Sequence, residues 1–200
     1  MKRLLTYLSL SALFSTSAIA AEKSAFTGFY FGGELSSVKQ EFSVPYSELG
    51  YVQEGKFIAN GSRGTRFGVV TGYGFDMGGN FVGLGEAGIS VSNVKTKVTK
   101  EQFATSLAYL QGYRIANKVL PYVKVSVNAS SFDINNEAIP SHYAVIENSG
   151  AFGFGIGGGI RANLSDNFDV GIEYNQYTLK GKDDIKIKTK SVALTAVYHF

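Results

Sequence analysis

Two hundred residues with 44% apolar content, 18% charge and no cysteine fit one ordinary domain that has no disulfide framework to lean on. No run of eighteen apolar residues follows Ala20, which excludes a membrane-spanning helix, and a formal net charge of +3 is too small to argue for nucleic acid. Glycine at 24, tyrosine at 12 and phenylalanine at 15, against three prolines and no tryptophan, point to closely packed strands whose rings carry the apolar area.

The first twenty residues form an object of their own. Lys2 and Arg3 lead into an apolar stretch from Leu4 to about Phe14, and Ala18-Ile19-Ala20 is a small-x-small pattern, so residues 1–20 are expected to be a secretory signal peptide cleaved after Ala20. The segment carries two bases and no acid, so its removal brings the excess of three bases down to one.

From residue 21 onward, alternation with period two recurs in eight segments. FTGFYFGGELSSV sets Phe29, Phe31 and Leu35 against Tyr30, Glu34 and Ser36. RGTRFGVVTGYGFD sets Phe67, Val69, Tyr73 and Phe75 against Arg66, Gly68, Gly72 and Asp76. FVGLGEAGISVSN opposes Phe81, Ala87, Ile89 and Val91 to Glu86, Ser90 and Ser92. In QFATSLAYLQGYRI the parity is less clean, because Gln111 falls with Phe103, Leu107, Tyr109 and Tyr113 while Leu110 falls with Arg114. LPYVKVSVNAS then opposes three valines, Val123, Val125 and Val127, to Tyr122, Lys124, Ser126 and Asn128. AFGFGIGGGIRAN opposes Phe152, Phe154, Ile156 and Ile160 to glycines and Arg161. FDVGIEYNQYTL opposes Phe168, Val170, Ile172 and Tyr174 to Asp169, Glu173 and Asn175, and SVALTAVYHF closes on Val192, Leu194, Ala196, Tyr198 and Phe200 against Ser191, Ala193, Thr195 and His199.

The links between segments alternate in length: short at 77–80, 116–119 and 163–167, long at about 39–62, 94–101, 131–149 and 180–189. Strands of about ten residues, apolar on one face, with short turns at one end and long loops at the other, predict an all-β, eight-stranded antiparallel up-and-down transmembrane barrel over residues 21–200. A soluble eight-stranded barrel such as a lipocalin alternates equally well. The small-residue character of the second face suits a narrow lumen better than a solvated surface, and aromatic residues near the strand ends fit interfacial girdles.

TGFYFGGELS, the GYRI-ANKVLPYVKVSV hairpin, GFGIGGGIRANLSDNFDVGIEYNQY and the terminal VYHF resemble the small eight-stranded outer-membrane barrels of the OmpA transmembrane-domain, OmpX/Ail and opacity-protein type. The resemblance implies location in the outer membrane of a Gram-negative bacterium, a role in surface integrity, and adhesion or host-factor binding to a protein or glycan through the extracellular loops. Leu194, Tyr198 and Phe200 resemble the signal read by the barrel assembly machinery in this class. Relatives of OmpA often carry a periplasmic peptidoglycan-binding domain after the barrel; this sequence stops at the last strand, and such anchoring is not expected.

If the polar face is the inner one, Glu34, Arg66, Glu86, Arg114, Lys124, Arg161 and Glu173, with Asp76 and Asp169, form a lumen charge network. Mixed signs in so narrow a space favour a side-chain plug over a conducting pore, and a narrow channel for small solutes is the alternative. Candidate loop-binding surface residues are Phe42, Tyr46, Tyr51, Phe57, Ile139 and Tyr143, whose other reading is a cap packed over the barrel mouth. Lys39, Lys95, Lys97, Lys180, Lys186, Lys188 and Lys190 continue the outward parity above the apolar band, where anionic lipopolysaccharide would meet them. Only His142 and His199 could serve as imidazole bases and neither is spaced for a triad, so no catalytic residue, cofactor or metal is expected, and lipid A modification is the least favoured reading.

Overall fold

The computed structural model describes residues 25–45, 56–95, 99–134, 149–181 and 186–200. The segment expected to be a signal peptide lies outside them. Eight strands follow one another, β1 (Gly28–Pro45), β2 (Lys56–Asp76), β3 (Phe81–Ser92), β4 (Thr99–Tyr113), β5 (Val119–Ile134), β6 (Ser149–Ser165), β7 (Phe168–Lys180) and β8 (Lys186–His199). Each pairs antiparallel with its neighbours in sequence, and β8 returns to β1 to close the barrel.

The period-two pattern sets the inside and the outside. Along β8 Ile187, Thr189, Ser191, Ala193, Thr195, Val197 and His199 are all buried, while Val192, Leu194 and Tyr198, with Phe200 just beyond the strand, stand exposed on the outer face. The same outward row holds the expected girdle at the short-turn end, where Phe81 packs on Tyr113 at 5.3 Å and Phe200 on Tyr198 and Phe29 at 5.3 and 5.6 Å. Apolar side chains out and polar ones in is the arrangement lipid requires, since a soluble barrel would reverse it. Gln111 does face outward with its apolar neighbours and Leu110 inward, and Gln111 Nε2 donates to backbone oxygens of Val82 and Gly112 instead of meeting lipid unpaired.

The short turns stand where expected, but the long connections are shorter. Pairing between β1 and β2 runs on to Pro45 opposite Lys56, so the strands take up much of 39–62. Likewise β4 begins at Thr99, β5 reaches Ile134, β6 begins at Ser149 and β8 at Lys186, which trims the loops expected at 94–101, 131–149 and 180–189. The backbone ladder continues past the apolar band because its hydrogen bonds need no lipid-facing side chains. A span of about 9–11 residues crosses a membrane; β2 has 21 and β1 has 18, so this hairpin stands well beyond the bilayer.

Three register shifts adjust the ladder among the described residues, one in the β1–β2 pairing between Lys39 and Glu41, one in β6 between Asn163 and Ser165, and one in β4 between Glu101 and Phe103. The one in β4 changes which residues face inward.

Candidate functional site

The lumen is filled in layers. At the short-turn end Phe26, Val82, Leu84, Leu110, Leu120 and Val197 form a buried apolar cluster with the rings of Tyr30 and Tyr122. Phe26, just ahead of β1, reaches it from a left-handed backbone conformation with φ of 68°.

Next comes an ionic layer. Lys124 Nζ on β5 donates to Glu86 Oε1 at 3.1 Å and to Glu173 Oε1 at 2.8 Å, tying β3, β5 and β7 together across the barrel. Arg161 on β6 pairs with Glu86 Oε2, and its guanidinium lies over Tyr30 at 5.1 Å and Tyr122 at 5.6 Å. The Tyr30 hydroxyl donates to Glu86 at 3.0 Å and the Tyr122 hydroxyl to Glu173 at 2.8 Å. Two cations thus balance two carboxylates, all four almost wholly removed from solvent. Such pairing is required here, since an ion out of water without a partner costs several kcal/mol.

Glycines make the space for these tyrosines. A Cβ on Gly72 would strike the Tyr30 hydroxyl, and one on Gly159 would strike the Tyr122 hydroxyl. The Gly157-Gly158-Gly159 run is therefore a packing device, with Gly157 admitting the Asn175 side chain in the same way.

Above this layer lies a small polar chamber of about 50 Å³, lined among others by Glu34, Ser90, Ser106, Asn128 and Asn175. It has room for a few water molecules. A second ionic layer roofs it: Arg66 Nη2 holds both carboxylate oxygens of Glu101 at 2.7 and 2.8 Å, and Nη1 donates to the Tyr177 hydroxyl at 2.8 Å. Higher still, Val38, Phe42, Phe132, Leu179 and Ile187 are buried on inward rows.

Of the expected charge network, Glu86, Lys124, Arg161 and Glu173 meet as one cluster, while the others do not join it. Arg66 lies opposite Ser36, two register positions from Glu34, and its partner is Glu101 on β4. Glu34 forms no ion pair among the described residues; it lines the chamber instead. Arg114 is buried but sits at the short-turn mouth, paired with Asp76 at 2.5 Å. Asp169 receives Asn163 Nδ2 at 2.9 Å and lies 2.7 Å from His199 Nε2, while His199 Nδ1 is 3.3 Å from the Thr27 carbonyl oxygen. Both ring nitrogens are engaged, and the His–Asp pair closes the β7–β8–β1 seam.

Glu101, Tyr177 and the apolar cluster were not anticipated. Tyr30 and Tyr122 fall on the polar face by parity, but parity says nothing of which carboxylate each hydroxyl meets.

Outside the lumen, Phe42 is corrected from a loop contact to an inward residue of β1, 3% exposed. Phe57 belongs to β2, and Tyr46, Tyr51, Ile139 and Tyr143 lie outside the described residues, as does Lys97. Lys39, Lys95, Lys180, Lys186, Lys188 and Lys190 are all exposed, as expected. Arg63, not singled out in the sequence, joins them on the outer face opposite Lys39. Leu194, Tyr198 and Phe200 share the outer face of β8. Among the described residues no group of three His, Cys, Asp or Glu could hold a metal ion.

Comparison with solved structures places the barrel among its kind. It is similar to Neisserial surface protein A at 12% identity and a TM-score of 0.58, over 87% of this chain and 98% of that one. It is similar to the outer membrane protein OprG from Pseudomonas aeruginosa at 15% identity and a TM-score of 0.52, over 89% of this chain and 99% of that one. Ail, the attachment invasion locus protein of Yersinia pestis, matches at 14% identity and a TM-score of 0.44, over 86% of this chain and 99% of that one. At these identities the likeness is one of fold, and no curated protein sequence matches the chain. A family model described as an outer membrane protein beta-barrel domain matches residues 7–200, and the chain belongs to that family.

Proposed function

We propose that the protein is a sealed, non-enzymatic scaffold in the bacterial outer membrane that contributes to surface integrity and presents its long-loop end for adhesion to a host protein or glycan. The observation that carries this reading is the contrast between the two ends of the barrel. Inside, an apolar cluster and two ionic layers block the lumen. Outside, β1 and β2 extend their ladder to Pro45 and Lys56, well past the span a bilayer needs, and loops carried on such a scaffold are where recognition usually resides.

The channel reading finds no support in this lining. The short-turn end is filled by a buried cluster of leucine, valine and phenylalanine, Arg114 at its mouth is paired with Asp76, and the cations and carboxylates above the cluster neutralise one another instead of forming a single-sign ring. An enzymatic reading is equally unsupported, since the His199 ring is held between Asp169 and Thr27.

The test compares the intact protein with versions shortened at residues 46–55 and at 135–148, displayed on cells and exposed to host cells. Binding that falls at least tenfold, with heat-modifiable barrel retained, is the expected result. Unchanged binding after both deletions contradicts it.

A further inference from the structure

The charges of the inner wall do not balance. From the lower ionic layer to the roof of the chamber, the described residues place three cations, Arg66, Lys124 and Arg161, against four carboxylates, Glu34, Glu86, Glu101 and Glu173. Arg66 is taken by Glu101, and Lys124 and Arg161 by Glu86 and Glu173. Glu34, on the inward row of β1, is the carboxylate left over. It lines the chamber, and its side chain makes no hydrogen bond or ion pair to another described residue. An unmatched charge in so narrow a space is costly, since little water is there to solvate it.

The wall around Glu34 is built of oxygen donors. Ser106, Ser126, Ser130 and Ser191 line the chamber together with Asn128 and Asn175. Both amides turn their nitrogen to the protein, Asn128 Nδ2 donating to Ser126 Oγ at 2.9 Å and Asn175 Nδ2 to Glu173 Oε1. Asn175 is left with its Oδ1, which is buried and accepts no hydrogen bond among the described residues. Ser130 Oγ is in the same position, on an inward side chain of β5 that is 5% exposed. Buried polar atoms without a partner are rare, and two of them line one small chamber. Inward glycines keep the space open: a Cβ on Gly68 would strike the Ser90 side chain, and one on Gly88 would come within 2.9 Å of Ser106 Oγ. Arg66 and Lys124 also reach the chamber, but each is held by its own carboxylates at the roof and the floor.

We propose that the chamber is a binding site for one sodium-sized alkali-metal cation, with the Glu34 carboxylate as its charged ligand, Ser130 Oγ and Asn175 Oδ1 as neutral ligands, and water in the rest of its shell. Carboxylate, hydroxyl and amide oxygens are the donors that hard cations take. A single positive charge matches the single unmatched carboxylate, whereas a divalent ion calls for a second, and Glu86, Glu101 and Glu173 are already paired. A space of about 50 Å³ has no room for an organic ligand. The ion completes the charge of the interior between the two ionic layers, so the stability of the barrel is tied to the salt in which it folds.

The experiment follows the thermal unfolding midpoint of the full chain, refolded in nonionic maltoside micelles at pH 8, as sodium chloride replaces choline chloride at constant ionic strength. Screening of the surface charges is then the same throughout, and choline is too large for the chamber. The midpoint of the intact protein rises with sodium and saturates, as for a ligand held by the folded state alone. Glu34→Gln removes the rise and, in choline, is more stable than the intact chain, because the unmatched charge is gone. A role for Glu34 in packing alone cannot produce both effects. Ser130→Ala keeps Glu34 and stays informative should Glu34→Gln fail to fold; it needs about fivefold more sodium for half the rise, having lost one neutral ligand. The proposal is overturned if the intact chain has the same midpoint at every sodium concentration, or if Glu34→Gln rises as the intact chain does. It is also overturned if Ser130→Ala responds at the same sodium concentration as the intact chain, or if calcium chloride at the same ionic strength raises the midpoint more than sodium.

Discussion

Lys124 ties three strands of the barrel interior together through two ion pairs. Among the described residues it is the group that pairs with both Glu86 and Glu173, and its loss leaves two buried carboxylates with one cation between them. Lys124→Met is expected to lower stability by about 3–5 kcal/mol, the range for breaking one member of a buried ionic cluster. Adding Glu173→Gln should recover part of the loss, and denaturant unfolding in micelles followed by circular dichroism measures both. Gly72→Ala acts by volume instead of charge: its Cβ meets the Tyr30 hydroxyl and the Gly85 carbonyl oxygen, an overpacking of about 1–3 kcal/mol. Combining it with Tyr30→Phe should reduce the penalty, and a penalty unchanged by that combination would mean the Gly85 backbone is the real obstacle. The inward orientation of Glu86, Lys124, Arg161 and Glu173 was legible from alternation alone, because one face of each strand must meet lipid. Their partners were not, since the height of a residue in the lumen depends on shear between strands that no single segment encodes.

At the scale of the strand, β4 shows how one extra residue redirects chemistry. By simple alternation Glu101 shares a face with Phe103 and should meet lipid, yet it is fully buried against Arg66. The bulge at Gln102 inserts one unpaired position and turns Glu101 inward. Deleting Gln102 should therefore be tolerated, because regular pairing then sets Glu101 inward next to Phe103 of its own accord. Glu101→Leu should instead cost about 3–5 kcal/mol by leaving the Arg66 guanidinium buried without its carboxylate. Heat-modifiability on gels separates the two outcomes, and a deletion as damaging as Glu101→Leu would show that the bulge itself is needed. Bulges leave no mark in apolar periodicity, which is why Glu101 was not among the residues expected to face the lumen. Strand length was misread for a related reason. Around Lys39, Gln40 and Glu41 both faces turn polar, which reads as loop, but the inward row of Val38, Gln40 and Phe42 continues unbroken and the ladder continues with it.

Taken as a whole, the barrel divides its labour by radius and by height. Its outer wall is an apolar band with aromatic rings at the short-turn end and cations at the long-loop end. Its interior is a stack that alternates apolar and ionic layers around one small chamber. Closure, strand count and facing were readable from the sequence, since each follows from the need to satisfy every backbone group in lipid. The apolar cluster of the inner short-turn end was not, because Val82, Leu84, Leu110, Leu120 and Val197 come from four strands and are neighbours only once the barrel closes. That cluster and the two ionic layers above it make the sealed lumen the central structural claim, and planar-bilayer recording tests it most directly. The intact protein should show no steady conductance, while Leu84→Ala/Leu110→Ala/Lys124→Ala, which removes bulk from two layers at once, should show brief openings. Large, steady, ion-selective conductance from the intact protein would contradict the sealed lumen and make the barrel a pore.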